Sequence, residues 1–573
     1  TTPVLAIMLG LAVGIVYALF IINKYRTCLL EGYSYQDAAA RALGKAGTAV
    51  VYAASTVVIA LAALSIVNIP FMTNMGLVGA GSIAVAAIAA LTLIPALLGI
   101  AGKRIVGRKT RALVEAAQSK KGEHETWIDL VKKDSRWYKW GAFISRWPVP
   151  ILIAAIAVIA VIALPVRDLQ LGLPTDQYAA PSSTERKGYD LLTKGFGVGF
   201  NGPLTVVVEG MPAVSQADKD AVRATAMAEY EKQVSAATAA AQATFQAKAA
   251  AATTPEEQYT LQQEIATATA AGEQQKAAAL AQIDSQVEQY AKYVQLQKVA
   301  SEIAKLGSVE AALPALVTGN GTAGIAQVIP KSAPADQATK DLITKLRDPA
   351  TQRDVTRNVA ISLAVTGSTA LQEDISAKLA AALPQYLAIV VGLSLIILII
   401  AFRSIIVPLK ATLGFLLSVA AMFGAMVAVF QWGWFGLTDA PGPLVSFIPI
   451  IGIGILFGLA MDYEFFLVSG MHEAYGKTKD AKKAVVQGFA VGSKVVTAAA
   501  IIMISVFGGF ITNHDITIRA MGFGLAVGIL IDAFIVRMTI VPAIMTLLGK
   551  ASWWLPRWLD RFLPHISIEG DEK

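Results

Sequence analysis

FIPIIGIGILFGLAMDYEFFLV, residues 447–468, reads as one membrane-crossing helix with an acid, Asp462, in its middle and Tyr463 and Glu464 directly after it. Residues of this kind in an unbroken apolar run suit a segment that crosses ~30 Å of hydrocarbon. An ionisable side chain at that depth costs about 2.5–3.5 kcal/mol on insertion scales, so it is normally kept for a task such as proton or ion passage. Asp462 is therefore the first candidate functional residue, the alternative being a structural polar contact between helices. The segment has an echo near the start of the chain, where Gly14-Ile15-Val16-Tyr17-Ala18-Leu19-Phe20-Ile21 aligns with Ala460-Met461-Asp462-Tyr463-Glu464-Phe465-Phe466-Leu467. The tyrosine is kept and the acid is replaced by Val16.

Working outward, the whole chain has the same character. Its 573 residues are 55% hydrophobic and only 16% charged, with a mean hydropathy of +0.56, too apolar for an ordinary soluble protein. Nine stretches are long enough to span a bilayer, near 3–22, 48–69, 74–100, 148–166, 384–402, 405–431, 445–470, 485–511 and 520–548. The predicted fold class is an α-helical polytopic membrane protein carrying an α+β domain between the fourth and fifth spans.

Lys and Arg in short loops stay in the cytoplasm. Lys24, Arg26, Arg41 and Lys45, the 101–147 loop with Lys103, Arg104, Arg108, Lys109, Arg111, Lys132, Lys133 and Arg136, and then Arg403, Lys410, Lys477, Lys479, Lys482 and Lys483 mark alternate connections. The connections near 68–74, 432–444 and 512–519 are almost uncharged. This alternation predicts an outer location for 167–383 and a cytoplasmic tail at 549–573. The net charge of +7 is then a topology signal and does not point to nucleic acid. Cys28, the single cysteine, is expected in a cytoplasmic loop, which leaves the outer domain without a disulfide.

Residues 1–104 and 447–551 correspond along their length. Asn74-Met75-Gly76 answers Ala520-Met521-Gly522, and Thr92-Leu93-Ile94-Pro95-Ala96 answers Thr539-Ile540-Val541-Pro542-Ala543, at a spacing near 446. Residues 1–100 are thus a partial first repeat and 384–548 belong to the second. Because the second copy is preceded by a span, an outer domain and two more spans, the same set is expected upstream of Thr1 in the natural chain.

Within the outer segment, 204–209, 324–329 and 359–365 read as strands of a βαβ-containing sandwich. Inserted in it is 215–307, rich in Ala, Gln, Glu and Lys, a composition that favours long helices. Thr254-Pro255-Glu256-Glu257 carries an N-cap, a first-turn proline and a capping-box glutamate, so two antiparallel helices are expected at 215–252 and 255–307, with Gly272 a place for a bend. The insert is either a solvated extension or an arm that reaches accessory proteins or neighbouring protomers.

For chemistry, Tyr17 or Tyr463 can stabilise one protonation state of Asp462, Glu464 is a second candidate, and Phe465 and Phe466 read as packing. Asp532 and Arg537 lie five residues apart in the last span. Arg537 is placed to snorkel toward the interface, and Asp532 needs a neighbour such as Lys494, Ser493 or Thr497. His472, His514 and His565 fall in loops or tails and His124 in the basic loop, without metal-ligand spacing, so no metal site is assigned. No phosphate-binding glycine loop, nucleophile elbow or zinc helix is present, which argues against an ATP-driven machine or an enzyme and implies no cofactor beyond protons as a coupling ion.

The stretch 458–468, together with 532–542 and the Tyr17 echo, resembles the MmpL (mycobacterial membrane protein large) family of the resistance-nodulation-division superfamily, from the fourth to the twelfth helix of that plan apart from the 215–307 insert. The resemblance implies a twelve-helix, two-repeat transporter in a bacterial plasma membrane that exports lipids, glycolipids or other amphipathic cargo, driven by proton entry at paired Asp-Tyr motifs. Carried over, Asp462 pairs with Tyr17, and Tyr463 faces an acid at position 16, where this chain has Val16. Either Asp462 couples alone or one proton site has been removed. Other roles on this scaffold are a multidrug pump, a proton-driven motor assisting protein export, and a lipid-binding or envelope-tethering protein without transport; the superfamily accommodates a monomer or a trimer.

Overall fold

The computed structural model describes residues 2–107, 111–112, 114–115, 135–357, 361–438 and 440–563; His124, His565 and the basic residues Arg108, Lys109, Lys132 and Lys133 lie outside them. Nine helices among the described residues are long and apolar enough to cross a membrane. The chain divides into two units, 1–174 with 375–573, and 175–374.

The first unit is helical. Helices α1 (Thr2–Leu30), α2 (Tyr35–Ala62) and α3 (Pro70–Ala101) are followed by α4 (Arg136–Arg146) and α5 (Pro148–Ala163). The second unit contributes α6 (Thr184–Phe196), α7 (Gln216–Ala251), α8 (Pro255–Ala304), α9 (Gln337–Arg347) and α10 (Pro349–Thr356). The helical unit resumes along α11 (Ser368–Phe402) and continues with α12 (Ile406–Met426), α13 (Ile448–Thr478), α14 (Ala481–Gly509), α15 (Ile516–Leu530) and α16 (Val541–Leu548). The repeat is visible in the starts of the helices. Thr2 and Ile448, Tyr35 and Ala481, and Pro70 and Ile516 are each 446 residues apart.

Helix α13 is the centre of the unit. Its most apolar stretch is 94% buried, against 17% for the fourth span, and it packs on α2, α12, α14 and α15. Small residues set these distances. A Cβ on Gly458 would lie 2.5 Å from Val57, and one on Gly488 would lie 2.6 Å from the Met471 backbone, so α2 and α14 approach α13 more closely than any larger residue allows.

Several expected loops are helical. Lys24, Arg26 and Cys28 lie on α1, where Cys28 is buried, and His472 lies on α13 beside the Trp553 ring at 4.8 Å. Part of the expected basic loop is α4, which packs on α14 and donates a hydrogen bond from Trp140 Nε1 to the Met538 carbonyl at 3.0 Å. A periodicity of hydropathy marks where a helix crosses lipid, not where it stops, and basic residues such as Lys24 are good helix formers.

In the second unit, strands β1 (Leu204–Glu209), β2 (Val309–Val317), β3 (Ala323–Pro330) and β4 (Ser362–Thr366) form one sheet in the order β2-β3-β1-β4. Every pairing is antiparallel. The expected βαβ units are present in split form: α7–α8 joins β1 to β2 and α9–α10 joins β3 to β4, each with a strand in between, as in ferredoxin-like folds. β2 was not expected, because Pro314 and alanines mask it; it is an edge strand with two register shifts, where proline is tolerated. β4 begins at Ser362, and the earlier start expected for it falls partly on 358–360, outside the described residues.

The hairpin α7–α8 is close to its expected limits, and α8 runs unbroken through Gly272. Its helices are held by surface pairs, Lys219–Glu288 at 3.2 Å, Arg223–Asp284 at 2.8 Å and Lys248–Glu264 at 2.7 Å, with few apolar contacts toward the tip. The expected capping box is in place: Thr254 Oγ1 accepts from Glu257 N at 3.3 Å, and Glu257 Oε2 accepts from Thr254 N at 3.1 Å. Those backbone donors hold the Glu257 carboxyl below the usual range. A carboxyl lowered in the folded state stabilises it above the ordinary glutamate range, and this is lost as pH falls through the folded value. Thr254→Ala is expected to cost about 1 kcal/mol locally, and acidification to act in the same direction. Hydrogen exchange at residues 253–260, corrected for intrinsic rates, checks both; protection indifferent to pH and to the substitution removes the cap's role.

Candidate functional site

Three consecutive residues of α13 address three different neighbours. Successive side chains on an α-helix point about 100° apart, so Asp462, Tyr463 and Glu464 face α1, α14 and α12 in turn. All three are buried, at 1%, 0% and 0% exposure.

Asp462 faces Tyr17, as the family resemblance implies, and the two side chains interact. The approach is loose. Among the described residues neither the Tyr17 hydroxyl nor Asp462 Oδ1 completes a well-formed hydrogen bond, and Asp462 has no cation beside it. One turn along, the Phe20 and Phe466 rings meet at 3.6 Å between centroids. Val16 is buried and supplies no acid, and the Tyr463 hydroxyl instead donates to Met503 Sδ on α14 at 3.2 Å. A thioether is a weak acceptor, but it spares a buried hydroxyl the cost of having no partner.

Glu464 joins a second constellation. Its Oε1 accepts from Lys410 Nζ at 2.6 Å and its Oε2 from Arg537 Nη1. Arg537 Nε donates to Asp532 Oδ2 at 3.2 Å, and Ser418 Oγ donates to Asp532 Oδ1 at 3.0 Å. Two cations and two carboxylates thus form an alternating row, each 5% exposed or less, drawn from α12, α13 and the last span. The charges cancel within it. Removing one member of such a buried pair typically costs about 3–5 kcal/mol, because its partner is left as an uncompensated charge.

Three expectations are corrected here. Lys494 is exposed and takes no part, while Ser493 bonds within its own helix and Thr497 bonds within its helix and to Met538 Sδ; the partners of Asp532 are Arg537 and Ser418. Arg537 does not snorkel, being fully buried between two carboxylates. Lys410 is not a loop cation but an interior one, and its position inside the apolar run 405–431 was the signal for this. Ser418 and Met503 carried no signal of their own. Among the described residues, no group of three or more His, Cys, Asp and Glu is placed to hold a metal ion.

The five-residue spacing of Asp532 and Arg537 has a backbone cause. In an α-helix five residues end about 140° past a full turn, which would put the two on different faces. Residues Ile531–Ile540 instead form a π-helix, whose i→i+5 bonding brings such residues back together. Thr539 Oγ1 donates to the Phe534 carbonyl, also five residues back, at 3.0 Å. The repeat shows where the turn came from: Gly76 matches Gly522 at 446 residues, whereas Pro95 matches Pro542 at 447. One extra residue lies between these marks in the second copy, and the π segment absorbs it; the counterpart α3 is an uninterrupted α-helix. Deleting Ile535 is therefore expected to convert the pair to an i,i+4 contact that an α-helix makes and to leave thermal stability near wild type. Deleting Thr539 forces the original spacing onto an α-helix, splits the pair and is expected to cost about 3–5 kcal/mol, read as a lower unfolding midpoint in detergent. Equal effects of the two deletions overturn this account.

Comparison with known proteins agrees with this layout. The sequence profile described as the MMPL family matches residues 1–151 and 206–563, leaving out part of the segment that precedes β1. The chain is 38% identical to "Membrane protein YdfJ" of Bacillus subtilis (strain 168), across 99% of this chain and 65% of that protein. It is 28% identical to "Mycolic acid-containing lipids exporter MmpL11" of Mycolicibacterium smegmatis (strain ATCC 700084 / mc(2)155), across 98% of this chain and 50% of that one. It is also 28% identical to "Trehalose monomycolate exporter MmpL3" of Mycobacterium tuberculosis (strain ATCC 25618 / H37Rv), across 98% and 53%. The chain thus spans half to about two thirds of the length of these relatives. With the profile covering most of its residues, and with the buried Asp-Tyr-Glu at the centre of a repeated helical unit, the chain belongs to the MMPL family.

Proposed function

We propose that this chain is the proton-coupling part of an exporter of lipids or other amphipathic molecules in a bacterial plasma membrane, with 175–374 on the extracytoplasmic side. The observation that carries the reading is Asp462: an acid 1% exposed, without a cation, facing a tyrosine hydroxyl of the other repeat. The names of two relatives as lipid exporters support the cargo class, and the Lys and Arg pattern supports the orientation.

The chemistry follows from charge balance. The row Lys410, Glu464, Arg537 and Asp532 is neutral by itself, so an ionised Asp462 adds a net negative charge to the interior and a protonated one does not. Ionisation draws the Tyr17 hydroxyl into a full, charge-assisted hydrogen bond; protonation releases it. Loading and unloading one proton thereby changes how α1 sits against α13, and cargo movement is coupled to that change. Tyr463, with Met503 as its partner and Val16 where a second acid would stand, takes a packing role here, and protons pass through one site.

Asp462→Asn in the full-length protein, reconstituted in vesicles with an internal pH-sensitive dye, is expected to reduce proton uptake to that of protein-free vesicles while the protein still folds. Retained uptake would remove Asp462 from the path. Val16→Asp supplies the acid that the family resemblance pairs with Tyr463 and is expected to raise uptake above wild type in the same assay, whereas unchanged or lower uptake counts against a paired relay.

A further inference from the structure

The connection between α12 and α13 ends in an aromatic tip, Trp432-Gly433-Trp434-Phe435-Gly436-Leu437. Trp432, Trp434 and Phe435 are 43%, 52% and 83% exposed, and their rings meet in turn, Trp432 and Trp434 tilted at 5.5 Å between centroids and Trp434 and Phe435 edge-on at 6.4 Å. Three of these residues adopt left-handed backbone, Gly433 (φ 75°), Phe435 (φ 64°) and Gly436 (φ 60°). For glycine that is free, but for a bulky aromatic it is an outlier that the surroundings must hold in place.

The loop is anchored at its base. Trp432 N–H donates to the Val427 carbonyl at 3.0 Å, Gly442 N–H to the Phe430 carbonyl at 3.0 Å, and Arg519 Nη1 to the Leu437 carbonyl at 2.9 Å. The aromatics are therefore presented outward by a tied loop with a strained apex, not left outside by fraying. Strain of this kind points to a use for the exposed side chains.

Position says what they meet. Trp432 follows directly on the span that ends at Gln431, and at no more than ~3.6 Å per residue the tip cannot travel far from the hydrocarbon edge. Tryptophan gathers where an apolar ring and a polar N–H suit the headgroup layer. The chain follows that rule at its other end too: Trp147 at the start of α5, and Trp554 and Trp558 after the last span, are likewise exposed, and no described tryptophan lies in the middle of a span.

We propose that the tip 432–437 is an interfacial anchor, with Trp434 and Phe435 inserted in the headgroup layer of a phospholipid bilayer on the side where α13 begins. The anchor fixes the depth of the junction between α12, which carries Lys410 and Ser418, and α13, which carries Asp462 and Glu464. It stands independently of any cargo.

A nitroxide attached to Phe435→Cys in the full-length protein, reconstituted in phosphatidylcholine and phosphatidylglycerol vesicles, tests this through collision with oxygen, which partitions into lipid, and with a water-soluble nickel chelate. Labels on Val85→Cys, exposed on α3, and Ala270→Cys, exposed on the hairpin, serve as lipid and water references, and unsubstituted protein controls for native thiols. The oxygen-to-nickel ratio at 435 is expected to lie above the hairpin value and below that of Val85, which is at the middle of its span. A ratio like the hairpin's places the tip in water and overturns the proposal. Low collision with both probes means that protein covers the tip, either more of this chain or a second copy, and overturns it equally. Trp434→Cys repeats the measurement should the first variant fail to fold, and neither site bears on whether Asp462 carries protons.

Discussion

Arg537 held between Glu464 and Asp532 is the constraint on which the interior depends. A guanidinium in an apolar bundle is tolerated only if its charge is cancelled, and meeting that demand through Nε and Nη1 ties three helices together: α12 through Lys410 and Ser418, α13 through Glu464, and the last span through its π turn. Once those four charges cancel, the bundle has a fixed electrostatic frame. Asp462 sits beside that frame without belonging to it, so the proton exchange proposed for it would leave the frame intact.

The two halves of the molecule use the same helical plan for different ends. In the first repeat the position matching Asp462 is Val16, and the helix matching the π segment is a regular α-helix with alanines where the second repeat has charge. The first repeat contributes one hydroxyl, Tyr17, and otherwise apolar packing. All ionisable interior groups of the site come from the second. The second unit follows a separate logic, with a core formed where the base of α8 covers one face of the sheet and a hairpin that leaves the core and carries ion pairs between its helices.

Much of this could be read from residues alone, and the reasons for success and failure are physical. Spans, repeat and capping box are written in local patterns: an apolar run, Gly and Pro at fixed offsets, Thr254 three residues before Glu257. Asp462 facing Tyr17 followed from the family resemblance, since the residues alone left Tyr17 and Tyr463 as alternatives. What was not legible were partnerships that depend on helix rotation and on three-dimensional neighbours. Lys410 looked like a loop cation because basic residues near span ends usually are, and Lys494 looked available to Asp532 because linear proximity says nothing about which face a residue occupies. The role of Arg537 was hidden by an assumption of 3.6 residues per turn, under which a residue five positions on faces elsewhere. Strand β2 was hidden by Pro314, whose tolerance depends on being at an edge.

The change in spacing from 446 to 447 has a historical meaning. Two helical sets that start in step and then slip by a single position are what a gene duplication leaves behind when one copy later gains a codon. On that reading, a single inserted amino acid created the geometry in which an arginine could be neutralised inside the bundle, and the specialisation of one half began with a change in length.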